Sequence, residues 1–81
     1  MTEQSLYAEI SPLATQILQI PRFDSSVNMT SNPEWDSLAH VQLLSAMEKK
    51  FAIEVSPDDA FKLTSADRLV QYLRAILEGK Q

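Results

Sequence analysis

The sequence predicts an all-α fold: a small bundle of three longer helices and one short helix, with a long loop after the first. Three observations carry this expectation. Apolar residues recur three or four apart in three separate stretches, the spacing that gathers them on one helix face. A segment rich in Ser, Asn, Asp and Pro separates the first stretch from the second. Cap signals, a hydroxyl or carboxylate followed by acids or proline, stand where the later helices would begin. At 81 residues the chain is expected to form one domain over 1–81, with a modest core.

The first helix is expected from about Glu3 to Gln19. Leu6, Ile10, Leu13, Ile17 and Ile20 recur at alternating steps of four and three. Pro12 falls inside this pattern. It removes the N–H that would bond the carbonyl of Ala8, and its ring crowds that carbonyl. Either the helix bends there, or Ser11 caps a new start with Pro12 at the first helical position. The apolar phase runs unbroken across Pro12, which favours one bent helix. Pro21 ends it. Residues 21–36, PRFDSSVNMTSNPEWD, form the irregular segment. A loop this long in a small bundle is functional, packed by its own apolar residues, or disordered. Phe23, Val27 and Met29 are its expected anchors, and Pro33 favours a non-helical approach to Ser37.

The second helix is read from WDSLAHVQLLSAMEKKF, residues 35–51. Asp36 is a good N-cap, because its carboxylate can accept from the free N–H groups of the first turn. Leu38, Val41 and Leu44 recur three apart, and Leu43, Met47 and Phe51 four apart, giving a broad apolar face. Ser37 then sits at or near the first helical position, close to the positive end of the helix dipole. An anionic group carried there would be well placed. Ile53 and Val55 read as extended. Ser56 caps a short helix from Pro57 to about Lys62, with Asp58 and Asp59 in its first turn. Thr64-Ser65-Ala66-Asp67 opens the last helix, whose apolar face is Ala66, Leu69, Val70, Leu73, Ile76 and Leu77. It is expected to reach about Glu78, with Gly79 as terminator.

Composition narrows the chemistry. The absence of cysteine excludes disulfides and thiolate metal sites, and a single histidine leaves no histidine-rich metal site. The formal charge is −4, against nucleic-acid binding. The acidic excess lies in residues 1–36, where Glu3, Glu9, Asp24, Glu34 and Asp36 face Arg22 alone. No apolar run approaches the roughly 18 residues of a membrane span. The N-terminus is acidic and polar and lacks a secretory pattern, so a cytoplasmic location is expected. Gly79 is the one glycine, so glycine-rich phosphate loops are excluded. The absence of Cys excludes a Cys-His set, and the single His40 is a long shot as the base of a Ser-His-acid set.

Asp36-Ser37-Leu38, opening an amphipathic helix near the middle of a short helical chain, resembles the attachment motif of acyl carrier and peptidyl carrier proteins. The likeness extends over nearly the whole chain in length and element order. It implies a four-helix carrier bundle in which the Ser37 hydroxyl becomes a phosphodiester of 4'-phosphopantetheine, donated by coenzyme A. The thiol of that arm holds acyl or aminoacyl groups as thioesters. The resemblance further implies that Asp36 helps a phosphopantetheinyl transferase recognise the site. It also implies a loading ligase and a synthase or acyltransferase as partners, a monomer, and a protein that is not itself an enzyme.

Two departures from that family's pattern sharpen the expectation. Trp35 replaces the glycine-containing lead-in of many fatty-acid carriers, and Trp-Asp-Ser-Leu looks like discrete carriers of specialised pathways. Trp35 is also expected to close the loop over the bundle. Fatty-acid carriers usually present a row of acids along the serine-bearing helix. Here the positions read Ala39, Gln42, Ser45, Glu48 and Lys49. A dedicated partner is therefore expected to read Leu38, Ala39, Gln42 and Ser45, with Glu48 supplying weak residual steering. The expected service is polyketide, nonribosomal or related specialised biosynthesis. Within the family the alternative is a fatty-acid or D-alanyl carrier; outside it, an unmodified helical interaction module. His40, one turn beyond Ser37, is expected to be a partly exposed surface residue.

Overall fold

The computed structural model describes residues 2–79 and shows four helices among them: α1 (Glu3–Leu18), α2 (Ser37–Phe51), α3 (Pro57–Ala60) and α4 (Ala66–Gly79). Each begins where a side chain accepts a bond from an otherwise unpaired first-turn N–H. Thr2 takes the N–H of Ser5, Asp36 that of Ala39, and Ser56 that of Asp59. At α4 the acceptor is the Ser65 hydroxyl, bonded to the N–H of Arg68. α1 is one helix across Pro12. α3 is shorter than expected, and Phe61 and Lys62 lie in the turn after it.

α1 packs against both α2 and α4. The core holds Leu6, Ile10, Ala14 and Leu18 of α1, Leu43, Leu44 and Met47 of α2, and Leu69, Val70 and Leu73 of α4. Burying each large side chain of this set contributes about 1.5–3 kcal/mol. The centre of the α1 stripe is displaced from the expected one. Ala14 and Leu18 are fully inside, and Leu13 and Ile17 are half-buried at its edge.

The loop between α1 and α2 is packed rather than loose. Phe23 and Val27 are buried and Met29 is half-buried, as the anchoring expectation required. The loop is also stitched to the start of α4: the N–H of Met29 donates to the Thr64 carbonyl at 3.0 Å, and that of Ala66 to Val27 at 2.9 Å. Ser11 fastens α1 to the same loop through its hydroxyl, which donates to the carbonyl of Phe23. These bonds fix the path by which the chain arrives at Ser37.

Candidate functional site

α2 starts at Ser37 because Asp36, still extended, turns its carboxylate back on the helix. Asp36 has φ −94° and ψ −175°, and its Oδ1 accepts from the Ala39 N–H at 2.8 Å. Its carbonyl meanwhile accepts the first helical bond, from His40 at 2.8 Å. Ser37 is left as the first helical residue, exposed to solvent at the loop–helix junction. Among the described residues, no side chain is hydrogen-bonded to its hydroxyl.

The residue before the cap holds the junction in place. Trp35 is fully buried, packed at a tilt against Phe23, and its backbone N–H bonds Asn32 at 2.9 Å. Its indole N–H donates to His40 Nδ1 at 3.0 Å. An indole nitrogen can only donate, so Nδ1 must be the acceptor and the imidazole proton sits on Nε2. That Nε2–H donates to the carbonyl of Ala60 on α3 at 2.9 Å. His40 is thus partly exposed, as expected, but it is also a bridge between loop, α2 and α3, which the sequence did not suggest. A tryptophan and a histidine five residues apart across a helix start were the available signal.

α3 has no buried residue of its own. Besides the His40 bond, the Tyr72 hydroxyl of α4 reaches it, donating to Asp59 Oδ2 at 2.9 Å. Burial first, and then this bond to a carboxylate, push the Tyr72 phenol above its ordinary range. Between α2 and α3 runs an open, largely apolar groove of about 330 Å³ that begins at Ser37. Val41 and Leu44 form its α2 wall, Pro57, Ala60 and Phe61 its α3 wall, and Met29 closes one side.

The outward face of α2 carries little charge. Ser37, Leu38, Val41, Gln42 and Ser45 are exposed, with Leu38 at 68% and Val41 at 61%. Phe61, beyond α3, is 82% exposed. The sequence reading is corrected at Val41 and Ala39, while Leu38 is exposed as a residue read by a partner must be. Leu38 and Val41 share apolar spacing with Leu44 yet face solvent, because the buried line runs through Ala39, Leu43 and Met47. Ala39 accordingly points inward at 8% exposure and cannot present its side chain to a partner as expected. Glu48 is half-buried, and its carboxylate accepts from the Val55 N–H at 2.8 Å, tying down the segment after α2.

Chemically, the arrangement offers an accessible hydroxyl without a base. Both nitrogens of His40 are engaged, and Asp36 is bonded to its own helix. No cluster of three or more metal-ligating side chains occurs among the described residues, nor does any helix there have the length and apolarity to cross a membrane.

Comparison with known proteins bears on which chemistry. A family model described as "Phosphopantetheine attachment site" matches residues 13–73. An acyl carrier protein of Lactobacillus johnsonii is 27% identical over 77 residues, covering 93% of this chain and 96% of that protein. One from Cyanidioschyzon merolae is 31% identical over 75 residues, covering 90% and 82% respectively. A third, from Desulforapulum autotrophicum, is 41% identical over 39 residues, about half of each chain.

Proposed function

We propose, since the chain belongs to the acyl carrier protein family with its phosphopantetheine-attachment domain, that Ser37 is the residue bearing the arm. Family membership implies a covalent 4'-phosphopantetheine, and members act as carriers for acyl-handling enzymes rather than as catalysts. When bound, that group supplies the thiol on which an acyl group is held as a thioester. The observation that carries the assignment is the exposed Ser37 hydroxyl at the first position of α2, preceded by the Asp36 cap and beside the α2–α3 groove.

The surroundings of Ser37 suit such a modification. Its phosphodiester would stand at the positive end of α2, where an anion is favoured. The hydroxyl reaches solvent, so a transferase can approach it. Asp36 fixes the start of the helix and presents a carboxylate one residue away. The groove walls are apolar, which suits the hydrocarbon part of an acyl cargo. This chain's residues position the serine and shape the groove; none performs the chemistry. We assign the whole of residues 1–81 to one carrier domain working in the cytoplasm.

Pathway assignment rests on the outward face of α2. A housekeeping partner that relies on acidic residues there would find Gln42 and Ser45 exposed and Glu48 bonded to Val55. The exposed Leu38, Val41 and Phe61 instead offer apolar anchors. This supports a dedicated synthase, acyltransferase or loading ligase in polyketide, nonribosomal or related specialised synthesis. The deciding experiment is intact-protein mass after incubation with coenzyme A, Mg²⁺ and a broad-specificity phosphopantetheinyl transferase. A gain of one phosphopantetheinyl group by the wild type and none by Ser37→Ala is expected. No gain in a folded wild-type chain would overturn the assignment and favour an unmodified interaction module.

A further inference from the structure

α3 is an unusual wall for a groove. It is four residues long, fully buries no side chain, sets only the half-buried Ala60 against the core, and is fastened from outside by two polar bonds, one from His40 and one from Tyr72. The His40 fastening differs in kind, since it depends on which nitrogen of one ring carries a proton. The imidazole is held end to end: Nδ1 accepts from the buried Trp35 indole, and Nε2–H donates to Ala60. We propose that His40 is a proton-sensitive positioning residue, which fastens α3 beside Ser37 only while its ring is neutral.

The reasoning is geometric. A second proton must enter at Nδ1, the one unprotonated ring nitrogen. Two N–H donors then confront each other across 3.0 Å, and the acceptor that Trp35 needs is gone. Trp35 cannot retreat, because it is buried among core side chains and packed on Phe23. The half-buried imidazole turns away instead. Because the ring is rigid, turning Nδ1 off the indole carries Nε2 off the Ala60 carbonyl. α3 is then left with the Tyr72–Asp59 bond and the partial packing of Ala60 against the core, and the α3 wall of the groove loosens.

Other titratable groups on the elements around His40 are already occupied or point elsewhere. Asp36, the cap of α2, holds the Ala39 N–H. Asp59 of α3 accepts from Tyr72 and lies 4.0 Å from Lys62. Glu34 is an exposed loop residue, and Asp58 an exposed residue of α3. None is hydrogen-bonded to the imidazole, so no carboxylate among the described residues replaces the lost acceptor or donor contact of the ring. The functional meaning, control of the groove beside the modified serine, rests on the assignment of Ser37. The clip itself does not.

One tryptophan and one histidine make the test unambiguous. Nitrogen-15 spectra of the unmodified chain across the imidazole titration track the His40 ring, the Trp35 indole N–H and the Ala60 and Lys62 amides. The expected result is a neutral ring protonated on Nε2, with the indole proton moving upfield as the ring gains its second proton. The protection of the Ala60 and Lys62 amides falls on the order of five- to tenfold at the same midpoint, as loss of one hydrogen bond implies. The His40 ring signals themselves mark the midpoint, which separates this response from that of any carboxylate. In Trp35→Phe, whose ring still fills the core, a second proton on His40 meets no indole donor and the α3 amides no longer respond. A neutral ring protonated on Nδ1, an indole or α3 that ignores the His40 titration, or an α3 response unchanged in Trp35→Phe overturns the proposal. Because Ser37 is unmodified throughout, failure here is distinct from failure of the mass experiment.

Discussion

Asp36 is given two roles, and they separate by substitution. As a cap, its Oδ1 accepts from the Ala39 N–H at 2.8 Å. Asp36→Ala removes that bond and should cost about 1 kcal/mol, within a range of roughly 0.5–2. In a domain of this size each kcal/mol corresponds to about 4–8 °C in Tm. Asp36→Asn keeps an oxygen in the same place and loses only the charge against the helix dipole, about 0.3–1 kcal/mol at an exposed end. Thermal unfolding monitored by circular dichroism should therefore rank wild type above Asn and Asn above Ala. Initial rates of phosphopantetheinyl transfer, read by mass at limiting carrier, test the other role. If the transferase recognises the carboxylate, Asn loads more slowly than wild type although its helix start is intact. An Asn variant that melts with Ala refutes the capping argument. One that loads like wild type refutes recognition and reduces Asp36 to a cap.

Other consequences can be checked with the same preparations. Leu43→Ala and Met47→Ala empty fully buried positions and should each cost about 2–5 kcal/mol in urea unfolding. Ala52→Gly should raise Tm: Ala52 ends α2 at φ +54°, where relief of about 1–2 kcal/mol of left-handed strain exceeds the roughly 0.4–1 kcal/mol of added unfolded-state entropy. Burial, and then the 2.7 Å bond to Asp67, raise the Tyr7 phenol above its ordinary value. The stability it contributes is complete below about pH 10, the unfolded phenol's value, and is lost as pH rises beyond it. Tyr7→Phe should accordingly flatten the alkaline part of a Tm-against-pH curve. Phe61→Ser, at a position 82% exposed, should leave Tm within about 0.5 kcal/mol equivalent while slowing acyl transfer to or from a cognate partner enzyme.

Much of the bundle was legible because its signals are local. Helical spacing located the apolar faces of α1, α2 and α4, and Asp36 and Ser56 marked starts that the hydrogen bonds confirm. The shift of the α1 stripe to Ala14 and Leu18 was less visible, since alanine adds little to an apolar pattern yet fits a close helix contact. The same blindness placed Ala39 on the partner face and put the exposed Val41 on the apolar face, whereas Leu38 is exposed as its expected partner role requires. Helix ends at Leu18 and Phe51 also lacked their usual mark. Both are succeeded by left-handed residues, Gln19 and Ala52, where glycine would normally signal the stop.

Sequence could not show how the groove beside Ser37 is held. Nothing in a four-residue segment without a buried side chain says what fastens it, since its partners lie 20 and 13 residues away along the chain. Residue types alone suggest independent uses for Trp35, His40, Asp59 and Tyr72: a loop plug, a surface imidazole, a first-turn acid, a helix-edge phenol. Only their positions convert them into two fastenings on one helix. The division has a physical reason. α1, α2 and α4 are stabilised by burial, which periodicity records, whereas α3 sets only the half-buried Ala60 against the core and is otherwise held by single directional bonds, which no period records. The element bordering the serine is thus the one whose attachment rests on a few hydrogen bonds of about 1 kcal/mol each.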